Sequence, residues 1–109
     1  MTNRFLSLGS INADFQFAVS QDISRGGTLP ADSFSQRAGG KGANRALFAQ
    51  RIGVAATLIG RVGEDHFADQ ALEPLRQAGL DLFNVSKSPN APTGVSMIAV
   101  PQGGEKTIL

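Results

Sequence analysis

At 109 residues, 41% of them apolar and 17% charged, the chain has the composition of one soluble domain around a single core and is too short for two. Ten basic and nine acidic side chains leave a formal net charge of +1. They are scattered, with no basic stripe interleaved with aromatics, which argues against nucleic acid as a partner. The absence of cysteine removes disulfides and thiolate metal sites, and no apolar run approaches membrane-spanning length, so the chain reads as cytoplasmic with no membrane partner.

Phe5-Leu6-Ser7-Leu8-Gly9 is a short apolar segment of the kind that forms a buried parallel strand. It ends at Ser10-Ile11-Asn12-Ala13-Asp14, where polar side chains appear. Ligands of open α/β sheets sit at the carboxyl ends of the strands, which places Asn12 and Asp14 at a candidate site. A simple turn is the plainer account of an Asn and an Asp after a strand. Next, Phe15, Phe17 and Val19 alternate with Gln16, Ala18 and Ser20, a period-two pattern for a half-exposed strand. Arg25-Gly26-Gly27-Thr28 and Pro30 make a turn, and Ser33 to Arg37 returns as a second strand. This ribbon is either a flap over a site or a plain surface hairpin.

Ala38-Gly39-Gly40-Lys41-Gly42-Ala43-Asn44 follows, with three glycines in four positions, and runs into the apolar segment from Ala46 to Ile52. Such a loop can turn tightly and approach a ligand closely, and it opens a helix. The segment Ala43 to Ile52 is apolar nearly all round, which predicts a helix buried against a sheet, stopped by Gly53 in the C′ position. Ala55 to Gly60 is the next buried strand. Asp65 can cap a second helix, whose apolar stripe is Phe67, Ala68, Ala71, Leu72, Leu75 and Ala78 and which Gly79 closes. Pro74 inside that stripe predicts a kink or an early end. Leu82 to Val85 is a further strand and Ser88 to Pro92 a loop. Thr93 to Val100 and Glu105 to Leu109 form a hairpin around Pro101-Gln102-Gly103-Gly104, and the final strand reads as cut rather than finished. The order describes a βαβαβ part of a doubly wound α/β sheet with an antiparallel β lid attached. The core is expected over 1–14 and 38–92, and the lid over about 15–37 and 93–109.

No nucleotide P-loop is present, because Gly40-Lys41 is followed by Gly42 and Ser35 stands where its first glycine should be. Gly-x-Gly-x-x-Gly fails at Arg45. His66 is the only histidine, so no metal site is expected. What remains is Asn12, Asp14, the backbone amides at Gly39 to Gly42, Lys41 and Asn44. A carboxylate accepts two hydroxyl donors, an amide gives and takes, and a lysine donates, so the set suits the vicinal hydroxyls of a sugar. Free amides at a helix N-terminus equally suit an anion.

Gly9-Ser10-Ile11-Asn12-Ala13-Asp14 and Gly39-Gly40-Lys41-Gly42-Ala43-Asn44, with Gly53, Val62-Gly63-Glu64-Asp65, Ala78-Gly79-Leu80-Asp81 and Thr93-Gly94-Val95, resemble the N-terminal portion of the PfkB-type carbohydrate kinases, the ribokinase branch above all. The resemblance covers essentially the whole chain. It implies an ATP-dependent sugar kinase fold, with Asn12 and Asp14 holding sugar hydroxyls, Gly40 and Lys41 in the loop that approaches the sugar, and Asn44 as the sugar-binding asparagine at the helix start. Gly39, Gly42, Gly53 and Gly63 match its structural glycines. The ribbon and the last hairpin match a lid that covers the sugar and in many members pairs two subunits. Arg25-Gly26-Gly27-Thr28 departs from the usual Pro-Gly-Glu-Thr.

The family's catalytic base, anion hole, ATP pocket and monovalent-cation site lie beyond the equivalent of Leu109. ATP, Mg2+ and K+ are therefore implied for a full-length member and are not expected to bind these residues fully. No catalytic residue falls in this chain, which is expected to be inactive alone. The expected ligand is ribose or another pentose. A non-catalytic sugar-binding or self-associating module is the other expectation, since half of a parallel sheet exposes surface that is normally buried.

Overall fold

A computed structural model describes residues 3–109; residues 1 and 2, which head the expected core, lie outside it. The elements in order are β1 (Arg4–Leu8), β2 (Asn12–Val19), β3 (Ser33–Gly39), α1 (Lys41–Arg51), β4 (Ala55–Gly63), α2 (His66–Gln77), β5 (Val85–Ser88), β6 (Gly94–Pro101) and β7 (Thr107–Ile108). They form two sheets. One is parallel, in the order β1-β4-β5, and the other runs β3-β2-β6-β7.

The core lies on one face of the parallel sheet. Ala56, Leu58 and Val62 of β4 meet the Ala43, Ala46 and Ala49 stripe of α1 and Ala68, Ala71, Leu72 and Leu75 of α2. Ile11, just before β2, and Ala13 and Phe15 in the first half of that strand close the same cluster, and Phe67 of α2 stands edge-on to Phe15 with ring centroids 5.8 Å apart. The small alanine stripe lets the α1 backbone approach the sheet, and the glycine contacts at its start bring it closer still.

The other face of the parallel sheet is open. β1 is paired with β4 in parallel register as expected, but it is not buried: Leu6 is 62% and Leu8 75% exposed. These side chains alternate away from Ser7, the one buried residue of the strand, and none of the described helices covers them. α1 packs against the sheet as expected, through Ala43, Ala46 and Ala49, but Phe48 and, at its C-cap, Ile52 stay exposed, so the helix is covered on one face only.

Two local readings also change. The fifth strand is Val85–Ser88, not Leu82 to Val85. Asp81 accepts from the amide of Phe83 at 3.0 Å and Val85 donates to the Leu82 carbonyl, so Leu82, Phe83 and Asn84 make a turn that leaves Phe83 exposed. The helix α2 does not end early at Pro74 but continues to Gln77, since the missing donor falls in its last turn and Ala78 still donates to the Pro74 carbonyl. Asp65 caps it as expected, accepting from Ala68 at 3.0 Å, and Gly53 has the positive φ of 88° that a C′ residue adopts.

The lid is antiparallel at its outer pairings, β2 with β3 and β6 with β7, and parallel at its centre, β2 with β6. β2 starts at Asn12 and β6 at Gly94, side by side in the register. Both run outward from the same end, so they pair in parallel.

Candidate functional site

The strand period divides the residues of β2. Ala13, Phe15 and Phe17 turn to the core and to Phe34, while Asn12, Asp14 and Gln16 lie on the opposite face. Asn12 and Asp14 therefore belong to a strand, not to a turn after β1. Their neighbours are set by register: Asn12 stands between Gly39 of β3 and Gly94 of β6, and Asp14 between Arg37 and Ser96.

Glycine makes this arrangement possible. A Cβ added at Gly39 would collide with the carboxylate of Asp14, and one added at Gly94 would collide with the amide oxygen of Asn12. The two polar side chains fold over glycines on either side of their own strand. Ser96 donates to Asp14 Oδ1 at 2.5 Å and fixes the carboxylate from the lid side. Asn12 and Asp14 are each half-buried, so they are shielded while still open to a ligand on this face.

The glycine loop closes the base of the site. Gly40 has φ 94°, which favours glycine, and its Cα packs on the Ser10 carbonyl. Gly42 lies against the backbone of Gly9, where an added Cβ would come within 2.6 Å of the Gly9 carbonyl carbon. Ser7 donates to the Gly42 carbonyl at 2.7 Å, and the helix start is held by Ser10: Lys41 donates its amide to the Ser10 hydroxyl at 3.0 Å and Ala43 to the Ser10 carbonyl at 3.1 Å. The Asn44 amide donates to the Gly40 carbonyl. The amides of Lys41, Ala43 and Asn44 are thus committed internally, and the loop packs its glycines against Gly9 and Ser10.

Asn12, Asp14, Gly39 and Gly40 thus come together. Lys41 and Asn44 sit exposed in the first turn of α1, and among the described contacts none links their side chains to Asn12 or Asp14. Asn44 borders an apolar hollow with Phe5, Phe48 and Ile52. Gly53 and Gly63 lie elsewhere, Gly63 packed against Asp65, Ala91 and Thr93. Sequence reasoning passed over Ser10, Gly94 and Ser96. A lone serine in the apolar run Val95-Ser96-Met97-Ile98 was the available signal, but its partner follows only from the parallel register.

Among the described residues no three His, Cys, Asp or Glu side chains gather as a metal site. No described helix is long and apolar enough to cross a membrane.

The family model for pfkB family carbohydrate kinases matches residues 2–109. The chain belongs to that family. Among pfkB relatives, it is 39% identical to the ribokinase of Schizosaccharomyces pombe over 108 residues, covering 94% of this chain and 34% of that protein. It is 37% identical to the ribokinase of Staphylococcus aureus over 110 residues, covering 99% and 36%. The structure of Arabidopsis thaliana ribokinase complexed with ribose and ATP superposes with a TM-score of 0.85 at 30% identity, over all of this chain and 36% of that one. Ribokinase from Giardia lamblia gives 0.87 at 31%, over all of this chain and 33% of that one. The chain spans about a third of the length of the curated relatives it matches.

Proposed function

We propose that these residues form the sugar-binding part of an ATP-dependent pentose kinase, with ribose the first candidate and phosphoryl transfer from ATP to a sugar hydroxyl the reaction of the whole protein. The observation that carries this reading is the Asp14 carboxylate, held by Ser96 above Gly39 and beside Asn12 on one face of the lid. A fixed carboxylate and an adjacent amide offer two acceptors and a donor to neighbouring hydroxyls, and the glycines beneath leave room for these two side chains to lie side by side. Asn44 and Lys41, on the adjoining helix turn, complete the set once a sugar draws the lid and the helix start together. Nucleotide, Mg2+ and K+ belong to the part of the family's length that this chain does not span, and the protein is placed in the cytoplasm. The division into a core over 1–14 and 38–92 and a lid over the remainder is part of the same reading.

Calorimetric titration of the chain with ribose tests it, alongside D14N and an assay for transfer from ATP with Mg2+. Binding that D14N abolishes, without transfer, is expected. A folded chain indifferent to ribose overturns the sugar reading, and transfer by these residues alone overturns the division of labour.

A second reading, self-association, is favoured by the exposed Leu6, Leu8 and Ile59 on the open sheet face and by an apolar hollow of about 310 Å3 on the lid, lined by Phe17, Val19, Met97 and Leu109. The lid hollow suits a homodimer. Light scattering across a concentration series distinguishes this from a monomer.

A further inference from the structure

Asp65 makes more bonds than a helix cap needs. One carboxylate oxygen suffices to accept from an amide in the first turn, and here Oδ1 accepts from Ala68 at 3.0 Å. The same carboxylate also accepts twice from Thr93, through its hydroxyl at 2.7 Å to Oδ1 and its amide at 2.8 Å to Oδ2. The Thr93 hydroxyl in turn accepts from the Gly63 amide at 2.9 Å. Gly63 must be glycine for this to fit, since a Cβ there would come within 2.6 Å of the Thr93 nitrogen and 2.7 Å of the Ala91 carbonyl oxygen. A single side chain thereby joins the end of β4, the start of α2 and the point where the chain enters β6.

That entry point is where the candidate ligands lean. Thr93 is buried, 4% exposed, and the next residue, Gly94, lies directly under the Asn12 amide oxygen. Two residues further on, Ser96 holds Asp14. Both polar side chains of β2 therefore take their positions from the first three residues of β6, and Thr93 sets where those three begin.

We propose that Asp65 is a positioning residue for the sugar site, acting through Thr93 and Gly94 to hold Asn12 and Asp14 in place. Its effect on ligand affinity rests on the sugar-binding reading above; its effect on the geometry of β2 and β6 does not.

The test uses D65N, T93V and T93S. D65N keeps one oxygen for the helix cap while turning a donor toward the Thr93 amide, T93V preserves shape without the hydroxyl, and T93S restores the hydroxyl. Three readouts are taken: the side-chain amide resonances of Asn12, hydrogen exchange at Gly94 and Ser96, and ribose affinity by calorimetry. D65N and T93V are expected to shift the Asn12 resonances, to speed exchange at Gly94 and Ser96 about tenfold while Ala56 and Leu58 stay protected, and to weaken ribose binding about tenfold, with T93S close to wild type. Unchanged resonances and exchange in a folded D65N overturn the proposal. If D65N does not fold, T93V decides by the same criteria. If wild type itself ignores ribose, the sugar reading fails, and the resonance and exchange results still decide whether Asp65 positions β2.

Discussion

Ser96 donates to Asp14 at 2.5 Å across 82 residues of sequence. The bond crosses the one parallel pairing of the lid, so the carboxylate in the first strand of the lid is set by a residue that follows both helices in the chain. The site is accordingly a property of the assembled lid and not of the Asn12 to Asp14 segment alone.

S96A removes the hydroxyl and leaves Asp14 free to rotate. Ribose affinity is expected to fall about fivefold to tenfold, equivalent to about 1–1.4 kcal/mol and in the range of one ordinary hydrogen bond, with little change in the thermal midpoint. Calorimetry and a melting curve on the same sample check it.

Alanine at Gly39 and at Gly42 should act differently. At Gly39 the new methyl meets the end of the Asp14 side chain, so G39A is expected to lose sugar binding while remaining folded. At Gly42 it meets the backbone of Gly9, which has no rotamer to change, and G42A is expected to cost about 1–3 kcal/mol of stability. Urea midpoints and ribose titrations of both variants separate the two effects.

Leu75 is 1% exposed in the cluster that joins α2 to β4 and β2. L75A is expected to destabilise the chain by about 2–5 kcal/mol, a large share of the roughly 5–15 kcal/mol that holds an ordinary domain. Denaturant unfolding measures it.

The bonds from the Thr93 amide and hydroxyl favour the ionised form of Asp65 and hold its carboxyl below the ordinary 3.8. As pH falls, the unfolded chain takes up this proton before the folded one. The contribution is therefore complete above about pH 5 and is lost as pH drops through the ordinary carboxylate range and below. Wild type is expected to lose more stability than D65N between pH 6 and pH 3, as read from urea midpoints at each pH.

The alternation of Phe15, Phe17 and Val19, the apolar stripe of α2, and the cap at Asp65 were legible in sequence because each is a short-range pattern with a local cause. The exposure of Leu6 and Leu8 was not, since an apolar run says that a strand wants cover and not whether this chain supplies it. Leu82 and Phe83 misled in the opposite sense: their apolar character suggested a strand, while Asp81, one residue earlier, turns the backbone there. For the candidate site, Asn12, Asp14 and the glycine loop could be put forward from residue types together with the family resemblance. Ser96 and Thr93 could not, because their meaning depends on which strand lies beside β2 and in which direction.

That parallel pairing also sets an order of events during synthesis. β2 and β3 are made early and can close as a hairpin, but the inner edge of β2 has to wait for β6. At about 5–20 residues per second, the 82 residues that separate Asp14 from Ser96 take roughly 4–16 s to emerge. For that interval the strand carrying Phe15 and Phe17 has an unpaired edge, which closes only when β6 arrives beside it.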